Sequence, residues 1–403
     1  MSLLTLKLDA IQVLALSCFG VAMGVWLKKQ LPILDRLNIP AAIVGGMFYA
    51  LAALVLRDRY LNLDMDMVLR DILMMAFFTS IGMSASLRLI RTGGVQVAYF
   101  FGIATLGAVL QNVVGMAAAK LFSLDPLLGI VSGSVALTGG PATALAFGDT
   151  FEKMGVAGAT TLGLASATFG ITAGGVLGGY IGAWLIRRHR LRPVEAPLSA
   201  GDSSGPEAVP LSDESAVEYS RLLRAVVAIA VAMGLGTLLS GAFERMGAIL
   251  PSYVGAMIVA AAFRNLDDRL RFVRISQRHV EAVGSVSLHI FIVMALLTLR
   301  LWELLHLALP LVVMLFLQVA LVWVLCVTVA FLAMGRDYES AVMAGGYCGF
   351  MLGTTANAMA CMDVLREKFG PAPKAFIVVP LVGAFLIDFT NALVITAAAN
   401  LIR

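Results

Sequence analysis

TGGPATALAFG, residues Thr138 to Gly148, lies between two long apolar blocks and holds three glycines and a proline, with no charged side chain. Such a run is a poor membrane helix. Gly140-Pro141 interrupts the hydrogen-bond ladder, because proline has no N–H to donate and its ring crowds the preceding turn. At membrane depth, broken backbone is tolerated only where it is buried in protein or lines a wet cavity. The surroundings are of membrane grade: 60% of residues are hydrophobic and 13% charged, and the mean hydropathy is +0.92. A soluble domain is roughly half apolar and a quarter charged.

Apolar blocks recur at about 10–27, 40–56, 72–90, 95–122, 127–148, 155–186, 221–241, 251–263, 281–299, 305–333, 338–362 and 373–399. Most are long enough to cross a hydrocarbon core of ~30 Å. A β-barrel would show short alternating segments instead. The expected fold is an all-α polytopic membrane protein. The first block runs into Lys28 and Lys29 with no small-residue cleavage site, so it reads as a retained span. The four cysteines, Cys18, Cys326, Cys348 and Cys361, form no CxxC pair and read as small buried packing residues rather than disulfide or zinc ligands.

Residues 187–220 are basic at first, then rich in Pro, Ser, Gly and acids. They cannot bury a core and read as a hydrophilic linker between membrane halves 1–186 and 221–403. The halves echo each other in order. IPAAIVGGM (39–47) answers LPSYVGAM (250–257), and ASLRL (85–89) answers LTLRL (297–301). Asp125 and Asp337 each open a small-residue run, which ends in EKMG (152–155) and EKFG (367–370). Composition alone would not keep that order, so an internal duplication is expected.

Lys and Arg favour the cytoplasmic side of short loops. Lys28, Lys29, Arg36, the arginines flanking the linker and those at 264–278 all fall there if each half makes about five crossings and its Gly-rich block dips in and returns. The halves then have inverted topology, each with a re-entrant Gly-rich hairpin or broken helix, as in many secondary transporters. Both termini are expected in the periplasm and the linker in the cytoplasm.

The counterpart of TGGPAT is LGTTANA (352–358). A helix starting after either break presents free N–H groups and a positive dipole end, which suits a carboxylate. The opposing carbonyls suit a dehydrated sodium ion. Thr138, Gly139, Gly140, Pro141, Ala142, Thr143, Gly353, Thr354, Thr355 and Asn357 are therefore the candidate substrate-binding residues. The competing reading is a small-residue packing face. Asp388 lies well inside the last block, where an ionisable residue marks a functional site by default. With Thr390 and Asn391 it forms the candidate sodium site, against a purely structural aspartate. Gln111, Asn112 and Gln318 read as glue between helices, His289 as a satisfied core or interface histidine, and Asp267 and Asp268 as solvated loop charges. Ser80, Ser84 and Ser86 are weaker candidates for the same cavity.

LRDILMMAFFTSIGM (69–83), the stretch around TGGPAT, ASATFG (165–170), GYCGFMLGTTANA (346–358) and VVPLVGAFLIDFTNALVI (378–395) together resemble the bacterial glutamate:sodium symporter family over nearly the whole chain. The resemblance implies two inverted five-span repeats, sodium-coupled uptake of glutamate across the inner membrane, an elevator-like movement and a homodimer in the lipid bilayer. The family's first hairpin usually reads Gly-Gly-His-Gly-Thr. Here Gly139, Gly140 and Thr143 match, while Pro141 and Ala142 depart from it where substrate is expected. Gly353, Thr355, Ala358, Asp388 and Asn391 match the later motifs. The expected function is sodium-coupled import of glutamate or a related carboxylate. The alternative is a proton- or sodium-coupled carrier of another organic anion. No cofactor beyond the coupling ion and no nucleic-acid partner is expected. An enzyme would need catalytic carboxylates, a Ser/His pair or a zinc cluster at membrane depth, and a passive channel would leave the duplication unused.

Overall fold

Asp9 starts the first long helix. Its carboxylate accepts the Gln12 N–H at 2.8 Å, while Gln12 Oε1 accepts the Asp9 N–H at 3.0 Å, a reciprocal cap. Helix α1 (Ala10–Gln30) ends on Lys28 and Lys29, cations at the negative end of its dipole. The computed structural model describes residues 4–36, 39–56, 61–88, 94–193, 211–246 and 251–402.

After α1 come α2 (Ala41–Leu56), α3 (Val68–Ser84) and α4 (Gly94–Leu121). α5 (Pro126–Ile130) continues into a π turn at Val131–Val135 and is followed by α6 (Gly140–Lys153) and α7 (Ala159–Arg188). Beyond the linker lie α8 (Leu211–Arg245), α9 (Ser252–Leu270), α10 (Gln277–Leu297) and α11 (Leu304–Leu325), the last running into a π turn at Cys326–Ala330. The chain closes with α12 (Tyr338–Leu352), α13 (Thr355–Phe369), α14 (Ala375–Leu381), a π turn at Val382–Leu386 and α15 (Ile387–Ile402). Among the described residues, six helices are long and apolar enough to cross a membrane.

One pairing departs from an all-α fold. β1 (Leu4–Leu8) and β2 (Leu61–Met65) form a two-stranded parallel sheet. LTLKL and LNLDM alternate leucine with polar residues, the strand period. α1 and α2 return the chain to the same end, where the two strands meet.

The helices sort into two bundles. α1, α2 and α3 pack with α8, α9 and α10, while α4, α5–α6 and α7 pack with α11, α12–α13 and α14–α15. Each bundle thus draws elements both from residues 10–188 and from residues 211–402. Small residues permit the tightest crossings. A Cβ on Gly24 of α1 would strike the Ala41 carbonyl at the start of α2, and one on Gly45 the Gly20 carbonyl. In the second bundle Gly170, Gly174, Gly178 and Gly182 line one face of α7 against α12, from Leu352 back to Ala341.

The paired sequence motifs do similar local work. Asp125 accepts the Leu127 N–H at 2.8 Å to cap α5, and Asp337 accepts the Ser340 N–H at 2.7 Å to cap α12. The glycines closing EKMG and EKFG, Gly155 and Gly370, take positive φ of 96° and 119°.

Several expectations need correction. Cys326, Cys348 and Cys361 are buried, but Cys18 is exposed, because α1 is an outer helix that also leaves Ile11, Phe19 and Trp26 uncovered. α7 keeps helical form to Arg188 and α8 begins at Leu211, so both ends of the expected linker are helical. Its middle, 194–210, and the residues Leu89 and Leu250 of the repeat motifs lie outside the described residues. Asp267 is buried rather than solvated. At the polar end of α9 its carboxylate accepts N–H groups from Val273, Arg274 and Ile275 at 2.8, 3.1 and 2.9 Å. Burial pushes its pKa up, but these donors outweigh burial and hold it below the usual carboxylate range. Asp268 pairs with Arg264 at 3.0 Å.

Candidate functional site at the meeting of two broken helices

Each break sits where its composition placed it. The chain leaves the helix after Val135, and Gly133 inside the π turn already has non-helical φ/ψ of −95° and −125°. α6 restarts at Gly140, whose φ of +70° lies in the left-handed region, with Pro141 in its first turn. Only glycine enters that region without a steric penalty. In the second break Gly353 (φ −148°, ψ −111°) is neither helical nor extended, Thr354 (φ −136°, ψ 165°) is extended, and α13 restarts at Thr355. Neither restart is capped by a side chain.

The two breaks meet. A Cβ built on Gly140 would lie 3.8 Å from both the Gly353 carbonyl oxygen and Thr354 Cγ2. They form one wall of a cavity of about 290 Å³, near the lower end for small-molecule sites. Thr138 through Ala142, Gly353 through Ala356, Gly383 and Asp388 line that wall, all from the second bundle. The first bundle contributes Pro40, Ala42, Phe77, Leu288, His289 and Ile292. The cavity therefore lies at the seam between the bundles, polar on one side and mainly apolar on the other.

Buried amides hold the breaks in register. Thr138 Oγ1 donates to Gln111 Oε1 at 2.5 Å, and Gln111 Nε2 donates to the Met351 carbonyl at 2.8 Å. Gln318 Nε2 donates to the Gln111 carbonyl at 2.7 Å. Gln111 thus ties one break to the residues just before the other, and these amides are the interhelical glue the sequence suggests. Thr355 Oγ1 donates to the Gly383 carbonyl at 2.6 Å, joining the start of α13 to the π turn before α15.

A sodium/glutamate symporter family model matches residues 6–371. A sodium/glutamate symporter of Escherichia coli K12 is 37% identical over 391 residues, 96% of each chain. One from Haemophilus influenzae is 34% identical over 393 residues, 94% of this chain and 95% of its own. The chain belongs to the sodium/glutamate symporter family. It is a multi-pass membrane protein of a transporter family.

Of the predicted substrate set, Thr138, Gly139, Gly140, Pro141, Ala142, Gly353, Thr354 and Thr355 line the cavity. Thr143 is buried behind them, its side chain against Gly139. Asn357 is also buried behind the wall, where its Nδ2 donates to the Ile171 carbonyl. The predicted sodium set is divided. Asp388 lines the cavity. Thr390 Oγ1 turns back to the Leu386 carbonyl at 3.1 Å, and Asn391 Nδ2 donates to the Ser134 carbonyl at 2.9 Å, behind the first break.

One further expectation is overturned. Ser80 and Ser84 bond to the Phe77 and Ser80 carbonyls, Ser84 also accepts from Gln277 Nε2, and Ser86 bonds to Asp268. None of the three lies on the cavity wall, because that face of α3 packs on α9 and α10. His289, read as a core or interface histidine, does line the cavity. Its Nδ1 lies 2.7 Å from the Ser285 carbonyl. A carbonyl can only accept, so Nδ1 carries the proton in that bond. A lone histidine in an apolar span carries little sequence signal; only the meeting of the bundles reveals its place.

Proposed function

We propose that the chain is a sodium-coupled symporter importing glutamate, or a closely related carboxylate, across the bacterial inner membrane. One observation carries the reading. Two uncapped helix starts from corresponding breaks face one cavity and abut at Gly140 and Gly353. Their free N–H groups and dipole ends receive carboxylate, and the hydroxyls of Thr138, Thr354 and Thr355 add neutral contacts. Asp388 on the same wall holds a sodium ion. His289 lines the cavity from the opposite bundle.

The two halves are inverted repeats and the breaks are tips of re-entrant hairpins. The bundle carrying both breaks and Asp388 moves as a unit past the other, in an elevator-type cycle. The mainly apolar opposing wall supports that division, since little polar contact has to be exchanged during movement. Arg70 of α3 reaches Asp149 of α6 at 3.3 Å, an ion pair across the seam. The termini are periplasmic and the linker cytoplasmic. The homodimer rests on the family resemblance.

Reconstituted protein should accumulate labelled glutamate only with an inward sodium gradient, and an inside-negative potential should increase uptake, a charge gaining ~2.3 kcal/mol per ~100 mV. Uptake indifferent to sodium would overturn the reading. Pro141 favours one second reading, a different organic anion as cargo, because it removes an N–H from the start of α6. Competition by a panel of amino and organic acids decides between them.

A further inference from the structure

The residues behind the first break hold an unusual set of polar atoms. Ser134, Asn112, Asn391 and Gln318 are each at most 1% exposed. Asn112 Oδ1 accepts the Ser134 N–H at 3.2 Å, and Asn391 Nδ2 donates to the Ser134 carbonyl at 2.9 Å. Gln318 Nε2, which donates to the Gln111 carbonyl, would lie 3.2 Å from a Cβ on the neighbouring Gly133. These bonds fix each amide's orientation: a flip would set oxygen against a carbonyl oxygen at Asn391 and Gln318, and an N–H against the Ser134 N–H at Asn112. What remains is Ser134 Oγ, Asn391 Oδ1 and Gln318 Oε1, three buried oxygens without a hydrogen-bond partner, beside the unpartnered Asn112 Nδ2.

Buried polar atoms are nearly always satisfied, so three orphaned oxygens around one non-helical turn need an explanation. The π turn at Val131–Val135 is itself a departure from the helix, of the kind found at functional sites. We propose that Ser134 Oγ and Asn391 Oδ1, with Gln318 Oε1 beside them, form a second sodium site, separate from Asp388 and buried behind the first break. The donor set is all oxygen and carries no charge. It suits a monovalent hard cation and not a divalent one, which draws carboxylates.

The position explains how the ion would be felt by the substrate. Thr138 lies four residues beyond Ser134 and donates to Gln111, which in turn holds the Met351 carbonyl before the second break. An ion at Ser134 therefore stiffens both ends of the cavity wall before substrate enters. That coupling rests on the proposed transport of a carboxylate; the binding of sodium does not.

Thermal unfolding of the detergent-purified protein, in sodium against potassium at equal ionic strength and without substrate, tests it. Wild type should be stabilised by sodium specifically. Ser134→Ala removes an oxygen with no structural partner, so in potassium it should melt at or above the wild-type temperature. Its sodium-dependent stabilisation should shift to roughly ten-fold higher sodium, the loss of one ligand. Asp388→Asn should keep a sodium response from the buried site. A full sodium response in Ser134→Ala, or no sodium-specific response in wild type, would overturn the site. So would a Ser134→Ala protein equally destabilised in both salts, the signature of a structural water. Should that variant not be recovered, Gln318→Met keeps the volume and drops Oε1; because it also loses the Nε2 donor to the Gln111 carbonyl it should melt lower in both salts, and it is read by its sodium dependence alone, which should shift to higher sodium, an unshifted dependence overturning the site. Failure of glutamate uptake with the sodium response intact would count against the cargo and leave this site standing.

Discussion

The two breaks occupy corresponding places but are built differently. The first is made by backbone: a π turn, Gly133 out of helical range, Gly140 at φ +70° and Pro141 in the next turn. Almost everything around it is buried. The second is made by side chains as much as backbone: Gly353 leaves the helical range, Thr354 is extended, and Thr354 and Thr355 line the cavity. The first start offers geometry with one N–H missing; the second offers donors and acceptors. One break can therefore hold shape while the other supplies chemistry.

The largest effect expected from this contrast is at Gly140. A Cβ in the left-handed region costs about 1–2 kcal/mol, and here it would stand in the cavity wall at van der Waals distance from Gly353 and Thr354. Gly140→Ala should abolish most uptake, whereas Gly353→Ala, whose φ is negative, should be limited by its crowding against Asn357 and Gly349 rather than by backbone strain. Equal, mild losses in both would erase the distinction. Next comes Asp388→Asn, which should raise the sodium concentration for half-maximal uptake by roughly ten-fold or more, as loss of a charged ligand implies. Unchanged sodium dependence in well-folded protein would remove Asp388 from the ion path.

A smaller effect should separate the threonines. Thr355→Val deletes the donor to the Gly383 carbonyl, worth about 1 kcal/mol, and should raise the half-saturating glutamate concentration several-fold more than Thr143→Val, which sits behind the wall. The reverse order would mean that the cavity wall has been misassigned. Smallest, and opposite in sign, is Pro141→Ala. It returns an N–H to the first break and should tighten carboxylate binding by a few-fold, about one net hydrogen bond. Weaker binding would show that the proline's rigidity matters more than its missing donor.

Much of this architecture was legible in the residues. Hydropathy marked the spans, and glycine beside proline or threonine marked both breaks, because backbone conformation is written in those residue types. Asp388 stood out because a charge in an apolar block is costly. What escaped notice depended on tertiary placement. Asn391 and Asp388 share a helix three residues apart, yet one faces the cavity and the other a buried turn of a distant element. Ser134 looked like one more small residue in VSGSV. His289 acquires a role only when α10 is set against the breaks. The β1–β2 pair was hidden because five-residue alternation is faint beside spans of twenty.

The most direct test is to locate bound glutamate in a structure determined with sodium. The ligand's carboxylate should lie within about 3 Å of N–H groups at the starts of α6 and α13, between Gly140 and Gly353 and on the same wall as Asp388. Glutamate bound elsewhere, or the two helix starts drawn apart with nothing between them, would contradict the account.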